Sequence, residues 1–356
     1  MSRFLSKRFL DLEAYTPGEQ PRDQQYIKLN TNESPYPPAP LVFERIGQAE
    51  IANLNLYPDP QGKGLKDKLA ALYGVGTENI FLSNGSDEIL NFAFMAFCDG
   101  ENGAIFPQIS YGFYQVYGDL YGIPYTEVPL QSDFTINPAD YDNAQKMVVI
   151  ANPNAPTGIA LSLEDIERVI EKNPESLVLI DEAYVDFGGE SCVGLVEKYS
   201  NLLVCMTFSK SRSMAGARLG FAIGQKEIIA DLEKIKFSTN PYNINSLTLA
   251  AGEAAIESND YYVEKADIII ATRERVRVKL EALGAVALPS KTNFLFVSHP
   301  EVTGAYLYQG LREQGILVRH FPKAPIENFI RVTIGTAGNM TTFLETITEL
   351  LKTREA

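Results

Sequence analysis

The sequence is poor in the residues that staple or metallate a protein. Its three cysteines, Cys98, Cys192 and Cys205, are odd in number, show no CxxC spacing and sit in or beside apolar runs. Buried free thiols in a reducing compartment are expected, and a cytoplasmic location with them. The two histidines, His299 and His320, have neither ligand spacing nor clustered cysteines nearby, which argues against a zinc centre; no metal is expected. Positive charge is scarce too. Lys plus Arg total 31 against 45 Asp plus Glu, and the net charge of −14 argues against nucleic acid or an anionic membrane as the main partner. Nowhere do about 18 apolar residues run together as a membrane span requires, and the basic start lacks the apolar stretch of a signal peptide, so a soluble, unprocessed chain is expected. There is no GxxxxGK[ST] loop, and the Gly189 to Val193 stretch departs from the nucleophile elbow at its last position. Standard nucleotide and serine-hydrolase readings are excluded.

What is present is a chain of 356 residues, 45% of them hydrophobic, long enough for a large core with an appendage. The first thirty residues are polar and lead into Tyr36-Pro-Pro-Ala-Pro40, which suggests an extended arm because each proline fixes φ and removes a donor. Continuous apolar runs at 79–82, 104–106, 147–151, 177–180, 202–206 and 219–223 read as buried strands of a mainly parallel sheet covered on both faces. Helical patterns lie between them, the clearest at 163–172 behind a Ser162-to-Asp165 capping pattern. A long amphipathic helix over 260–283 ends at Gly284, and strands at 293–297, 316–318 and 329–334 follow. The expected organisation is α/β: an arm over 1–30, a large domain over 31–255 and a small C-terminal α/β domain over 256–356.

Polar residues cluster at the C-terminal ends of four expected strands, where open α/β sheets bind ligands. Ser83-Asn-Gly85-Ser86-Asp87 opens a helix and offers an anion cradle, with Asp87 and Glu88 expected to point away from it. Asn152-Pro-Asn154-Ala155-Pro-Thr-Gly158 is a rigid turn carrying an amide, Asp181-Glu-Ala-Tyr184 an acid with a phenol, and Ser209-Lys210 an amine with a hydroxyl, Arg218 following eight residues on. Taken singly these are helix caps, turn chemistry or solvated charges. Together they suit one ligand that carries a phosphate, an aromatic nitrogen that must stay protonated and an aldehyde that condenses with an amine, namely pyridoxal 5'-phosphate.

NPNAPTG, DEAY and FSKSRSMAGARLGF, in that order and spacing, resemble the fold-type-I pyridoxal-phosphate aminotransferases over nearly the whole chain. LNTNESPYPP at 29–38, LYPDP at 56–60, FIRVTIGT at 329–336 and the start at Tyr15 are similar to the histidinol-phosphate aminotransferase family. The resemblance implies that Lys210 holds the cofactor as a Schiff base and moves the substrate proton. It also implies that Asp181 pairs with the ring nitrogen, that Tyr184 donates to the ring oxygen and that Tyr111 packs on the ring. Gly85, Ser86, Ser209 and Arg218 would hold the phosphate, Tyr57 would reach it from the other subunit of a homodimer, and Tyr15, Arg319 and Arg331 would bind substrate. The implied reaction passes an amino group between histidinol phosphate and 2-oxoglutarate, giving imidazole-acetol phosphate and glutamate. An aromatic amino-acid aminotransferase, a threonine-phosphate decarboxylase and a non-catalytic pyridoxal-phosphate regulator stay open. One position departs from the family pattern: the asparagine usual before Pro-Thr-Gly is Ala155, and Asn154 is expected either to take over its contact with the cofactor or to leave Tyr184 alone there.

Overall fold

The computed structural model describes residues 4–10, 12–13, 15–21, 23–47 and 51–353. Parts of the expected arm and the last three residues of the chain lie outside that set.

Seven strands form the central sheet: β2 (Ile80–Ser83), β3 (Ala104–Pro107), β4 (Tyr125–Val128), β5 (Met147–Ala151), β6 (Val178–Asp181), β7 (Leu202–Thr207) and β8 (Gly220–Gly224), in the order β2-β8-β7-β6-β5-β3-β4. All pairs are parallel except those made by β8, which runs against both β2 and β7. Period-two alternation explains why the runs are apolar throughout. Ile80, Leu82, Val148, Ile150, Val178 and Ile180 face one core, while Phe81, Val149, Leu179 and Leu203 face the other. Strand β4 was not among the expected strands. It is an edge strand whose four residues are all only half-buried, so no apolar run marks it.

The register of this sheet builds one edge. Ser83 and Thr207 both pair with Gly220, and Asp181 pairs with both Ala151 and Cys205. The ends of β2, β5, β6 and β7 and the start of β8 therefore lie side by side. Helix Ser86–Phe97 begins from the end of β2 with Gly85, not Ser86, at its N-cap. Helix Leu163–Glu171 starts where expected, the Asp165 N–H donating to Ser162 Oγ at 3.1 Å, a cap worth about 1 kcal/mol.

Beyond the long helix Asn259–Ala282, an antiparallel sheet contains β9 (Val286–Ala287), β10 (Phe294–Ser298), β12 (Arg319–His320) and β13 (Phe329–Thr333), in the order β12-β13-β10-β9. The expected strand at 316–318 is β11 (Ile316–Leu317), and it joins neither sheet. It pairs in parallel with β1 (Ile27–Lys28) from the N-terminal segment. Among the described residues no helix is long and apolar enough to cross a membrane.

Candidate active site

The sheet edge opens into a cavity of about 450 Å³ whose walls include Ser86, Asp181, Tyr184, Ser209, Lys210 and Arg218. Lys210 lies three residues beyond the end of β7. Its Nζ lies 3.4 Å from the Thr31 carbonyl and 5.7 Å from the centre of the Tyr184 ring. Asp181 ends β6 and is buried. Its Oδ2 accepts from the Tyr114 hydroxyl at 3.0 Å and its Oδ1 from the Ala183 N–H at 3.1 Å. Burial pushes its pKa up to about 6 despite those hydrogen bonds and the pull of Lys210, because the ionised form has left water.

At the other end of the cavity Gly85, with φ +80°, lets the Arg218 guanidinium pass so closely that a Cβ there would sit 2.6 Å from Nη2. Gly220 does the same for the backbone: a Cβ on it would stand 2.6 Å from the Ser86 nitrogen. Asp87 corrects one expectation. It does not turn away; its Oδ2 lies 2.9 Å from Arg218 Nη2 and its Oδ1 accepts from the Tyr111 hydroxyl at 2.7 Å, which also fixes the Tyr111 ring on the wall. Both partners are well exposed, so the pair adds little to stability and leaves Arg218 free to share its charge with an arriving anion.

Asn154 is a second correction. Its carboxamide is buried, donating to the Ile109 carbonyl at 2.9 Å and the Thr157 hydroxyl at 3.1 Å while accepting from Ser110 at 2.8 Å. It is not among the residues lining this cavity or the one next to it and braces the turn, and Ala155 presents only a methyl group to the site. Sequence reasoning also left out Thr31, Glu33 and Thr207, which line the same cavity, and Tyr114 and Gly220 behind it. LNTNES at 29–34 served as a family marker with no role attached, although its run of small polar residues between apolar segments was the available signal.

A second cavity, of about 780 Å³, shares Thr31, Tyr111, Ala155, Tyr184 and Lys210 with the first and lies toward the C-terminal sheet. Tyr15, Arg319 and Arg331 line it. Register places Arg319 opposite Arg331 on adjacent strands. Arg331 donates to the Asn30 carbonyl at 3.1 Å, and its Nε is buried without a hydrogen-bond partner among the described residues. Burial lowers its pKa from the ordinary arginine value, the mark of a cation short of a counter-charge. Arg319 is held at the rim by the Thr16 and Pro17 carbonyls, at 3.2 and 3.4 Å. Tyr15 packs against Phe113 with ring centres 4.3 Å apart. Tyr57 belongs to neither cavity: it is 80% exposed and stacks on Tyr242 at 4.5 Å.

The inner cavity fits pyridoxal phosphate on the evidence of its own groups. A guanidinium, a buried hydroxyl at Ser209 and a helix start at Gly85 suit the phosphate, a buried acid with no ion pair among the described residues suits a protonated ring nitrogen, and one half-buried amine faces the same space. Among the described residues no cluster suited to a metal ion occurs.

An α/β sheet edge with a lysine, a buried acid and an anion cradle defines the aminotransferase class, and the family model for Aminotransferase class I and II matches residues 24–347. A histidinol-phosphate aminotransferase of Brachyspira hyodysenteriae is 49% identical over 353 residues, 99% of this chain and 100% of that protein. Another, from Clostridium acetobutylicum, is 45% identical over 351 residues, 99% and 100% of the two chains. The crystal structure of a putative histidinol-phosphate aminotransferase from Erwinia carotovora atroseptica superposes with a TM-score of 0.85 at 25% identity, covering 92% of this chain and 97% of that one. The Sinorhizobium meliloti histidinol-phosphate aminotransferase, solved in complex with pyridoxal-5'-phosphate, shares the fold at a TM-score of 0.87 and 23% identity, covering 99% and 100%. The chain belongs to the class I and II aminotransferases and, within them, to the histidinol-phosphate aminotransferase family.

Proposed function

We propose that this protein is a pyridoxal-phosphate aminotransferase that exchanges an amino group between histidinol phosphate and 2-oxoglutarate, yielding imidazole-acetol phosphate and glutamate. The observation that carries the reading is Arg331, a cation with an unpartnered buried Nε facing a cavity that opens directly onto Lys210. An anionic substrate supplies what that guanidinium lacks. The relatives' shared name points to the same substrate.

When bound, the cofactor supplies an aldehyde carbon that takes up amines and a ring that draws electrons from the substrate's Cα. Lys210 Nζ tethers it and takes the Cα proton. Asp181, buried at the end of β6, would pair with the ring nitrogen and keep a proton on it. Tyr184 would donate to the ring oxygen and Tyr111 would pack on the ring face, both lining the same cavity. The first turn after Gly85, Ser86, Ser209 and Arg218 hold the phosphate, with Thr207 added to the set. Arg331 takes the glutamate carboxylate or the substrate phosphate, while Arg319 and Tyr15 close the rim. In this reading the chain divides into an arm over 1–30, a large domain over 31–255 and a small one over 256–356.

The active form is a homodimer in this reading. Tyr57 stands outside its own chain's site on a stretch where Ile51, Leu54 and Leu56 are also exposed, a surface suited to burial against a second copy. The free, buried Cys192 and Cys205 agree with a cytoplasmic location. Steady-state kinetics with histidinol phosphate and with phenylalanine test the assignment: kcat/KM higher for histidinol phosphate is expected, and a preference for phenylalanine overturns it.

A further inference from the structure

Asn32 hydrogen-bonds both to the phenol of the inner cavity and to the strand that carries the substrate arginine. It sits at φ +56°, a left-handed conformation that asparagine tolerates better than most side chains. Its Nδ2 donates to the Tyr184 hydroxyl at 2.8 Å. The direction of that bond is fixed by the groups behind it. The Thr333 hydroxyl gives its hydrogen to Asn32 Oδ1 at 2.9 Å and accepts the Asn32 N–H at 3.0 Å, so Oδ1 is occupied and the amide nitrogen must face Tyr184. Asn293 holds the Asn32 carbonyl at 3.0 Å. With its oxygen accepting from Asn32, Tyr184 has no acceptor for its own hydrogen among the described residues, and that hydrogen is left to point into the cavity.

The same segment is anchored where substrate binds. Arg331 and Thr333 are two apart on β13 and share a face, and Arg331 donates to the carbonyl of Asn30. Across the cavity Ala155 offers only a methyl group, so no amide reaches Tyr184 from that wall.

We propose that Asn32 is a positioning residue for Tyr184: it holds the phenol so that its hydrogen is directed at the bound cofactor, and through Thr333 it ties that orientation to the strand bearing Arg331. This rests on the cofactor site proposed above. With the amide gone, the phenol turns freely and stabilises negative charge on the cofactor's ring oxygen less. The nitrogen joining Lys210 to the cofactor then keeps its proton to higher pH.

The test is a pH titration of the cofactor's visible absorbance in the holoenzyme. Asn32→Gly keeps the left-handed backbone accessible and removes the amide; its midpoint is expected to rise by about one pH unit, a tenfold change in the protonation constant. Thr333→Val keeps the shape but frees the amide to turn, and a smaller rise is expected, so the idea stays testable if Asn32→Gly folds poorly. Titrations of both variants that coincide with the parent's overturn the proposal, whatever happens to kcat or Tm. A parent holoenzyme with no pH-dependent band overturns the cofactor site itself.

Discussion

The two cavities meet at Lys210 and Tyr184 but are built in different ways. The inner one is walled mainly by the ends of strands in a single sheet, where the register of β2, β5, β6, β7 and β8 fixes the spacing of its groups, with Thr31 and Glu33 added from the N-terminal segment. The outer one is assembled from Tyr15, Arg319 and Arg331, and the two arginine side chains of the C-terminal sheet donate to backbone carbonyls of the N-terminal segment. Rigid strand ends suit a cofactor that never leaves, and a wall made of separate pieces suits substrates that come and go.

Substitutions can break that contrast or sharpen it. Replacing Lys210 with alanine should cost the most, at least about 10⁴-fold in single-turnover rate, since one group carries both the tether and the proton. Turnover that survives would show that the inner wall does not hold the reacting amine. Arg331→Ala should lower kcat/KM by about 10²- to 10³-fold, or about 3 to 4 kcal/mol, chiefly through KM, with cofactor absorbance intact. Loss of cofactor instead would mean the cavities are not separable.

Next in size is an effect on stability beneath the inner wall. Glu182 is buried, and burial pushes its pKa up to about 7 against hydrogen bonds from Ser191 and the Cys192 N–H. The folded state therefore holds this proton more tightly than the unfolded one, whose value is near 4.5, and stability must fall as pH rises from there toward 7. Denaturant titrations of cofactor-free protein across that window should show the decline, roughly 2 to 3 kcal/mol at most, reduced in Glu182→Gln. The slope that remains belongs to Asp181, between 3.8 and about 6. A variant with the parent's full slope would show that Glu182 is not the titrating group. Smallest of all, Arg319→Ala should cost about tenfold or less, as suits a rim group held by carbonyls. The loss should be greater with histidinol phosphate than with glutamate; equal losses would remove Arg319 from phosphate recognition.

The same contrast decides what could be read in the sequence. Lys210, Asp181 and Arg218 were legible because each follows or precedes an apolar run that marks a buried strand, and the strand end does the placing. Gly85 was legible as a close approach, but Gly220 was not, since its importance lies in pressing against a backbone 134 positions away in the chain, from Ser86 to Gly220. Asn154 was misjudged because a turn's polar side chain can serve the cavity or the turn itself, and only its three hydrogen bonds distinguish them. Asp87 was misjudged for a related reason: repulsion from a phosphate was weighed, while attraction to Arg218 was not. Edge strand β4 and the pairing of β1 with β11 left no periodic trace. The two-residue ladder of β1 and β11 is too short to imprint a pattern, and the four residues of β4 are all half-buried, with no apolar run.

That short ladder has a practical consequence for anyone shortening or fusing this protein. Ile27 and Lys28 are stitched to Ile316 and Leu317, and the residues just after them supply Arg331 with its carbonyl and Lys210 with its nearest oxygen. Residues 27–30 are thus part of the folded wall. A chain begun at residue 31 would leave the edge of β11 bare and remove the anchor that keeps the floor between the two cavities in place.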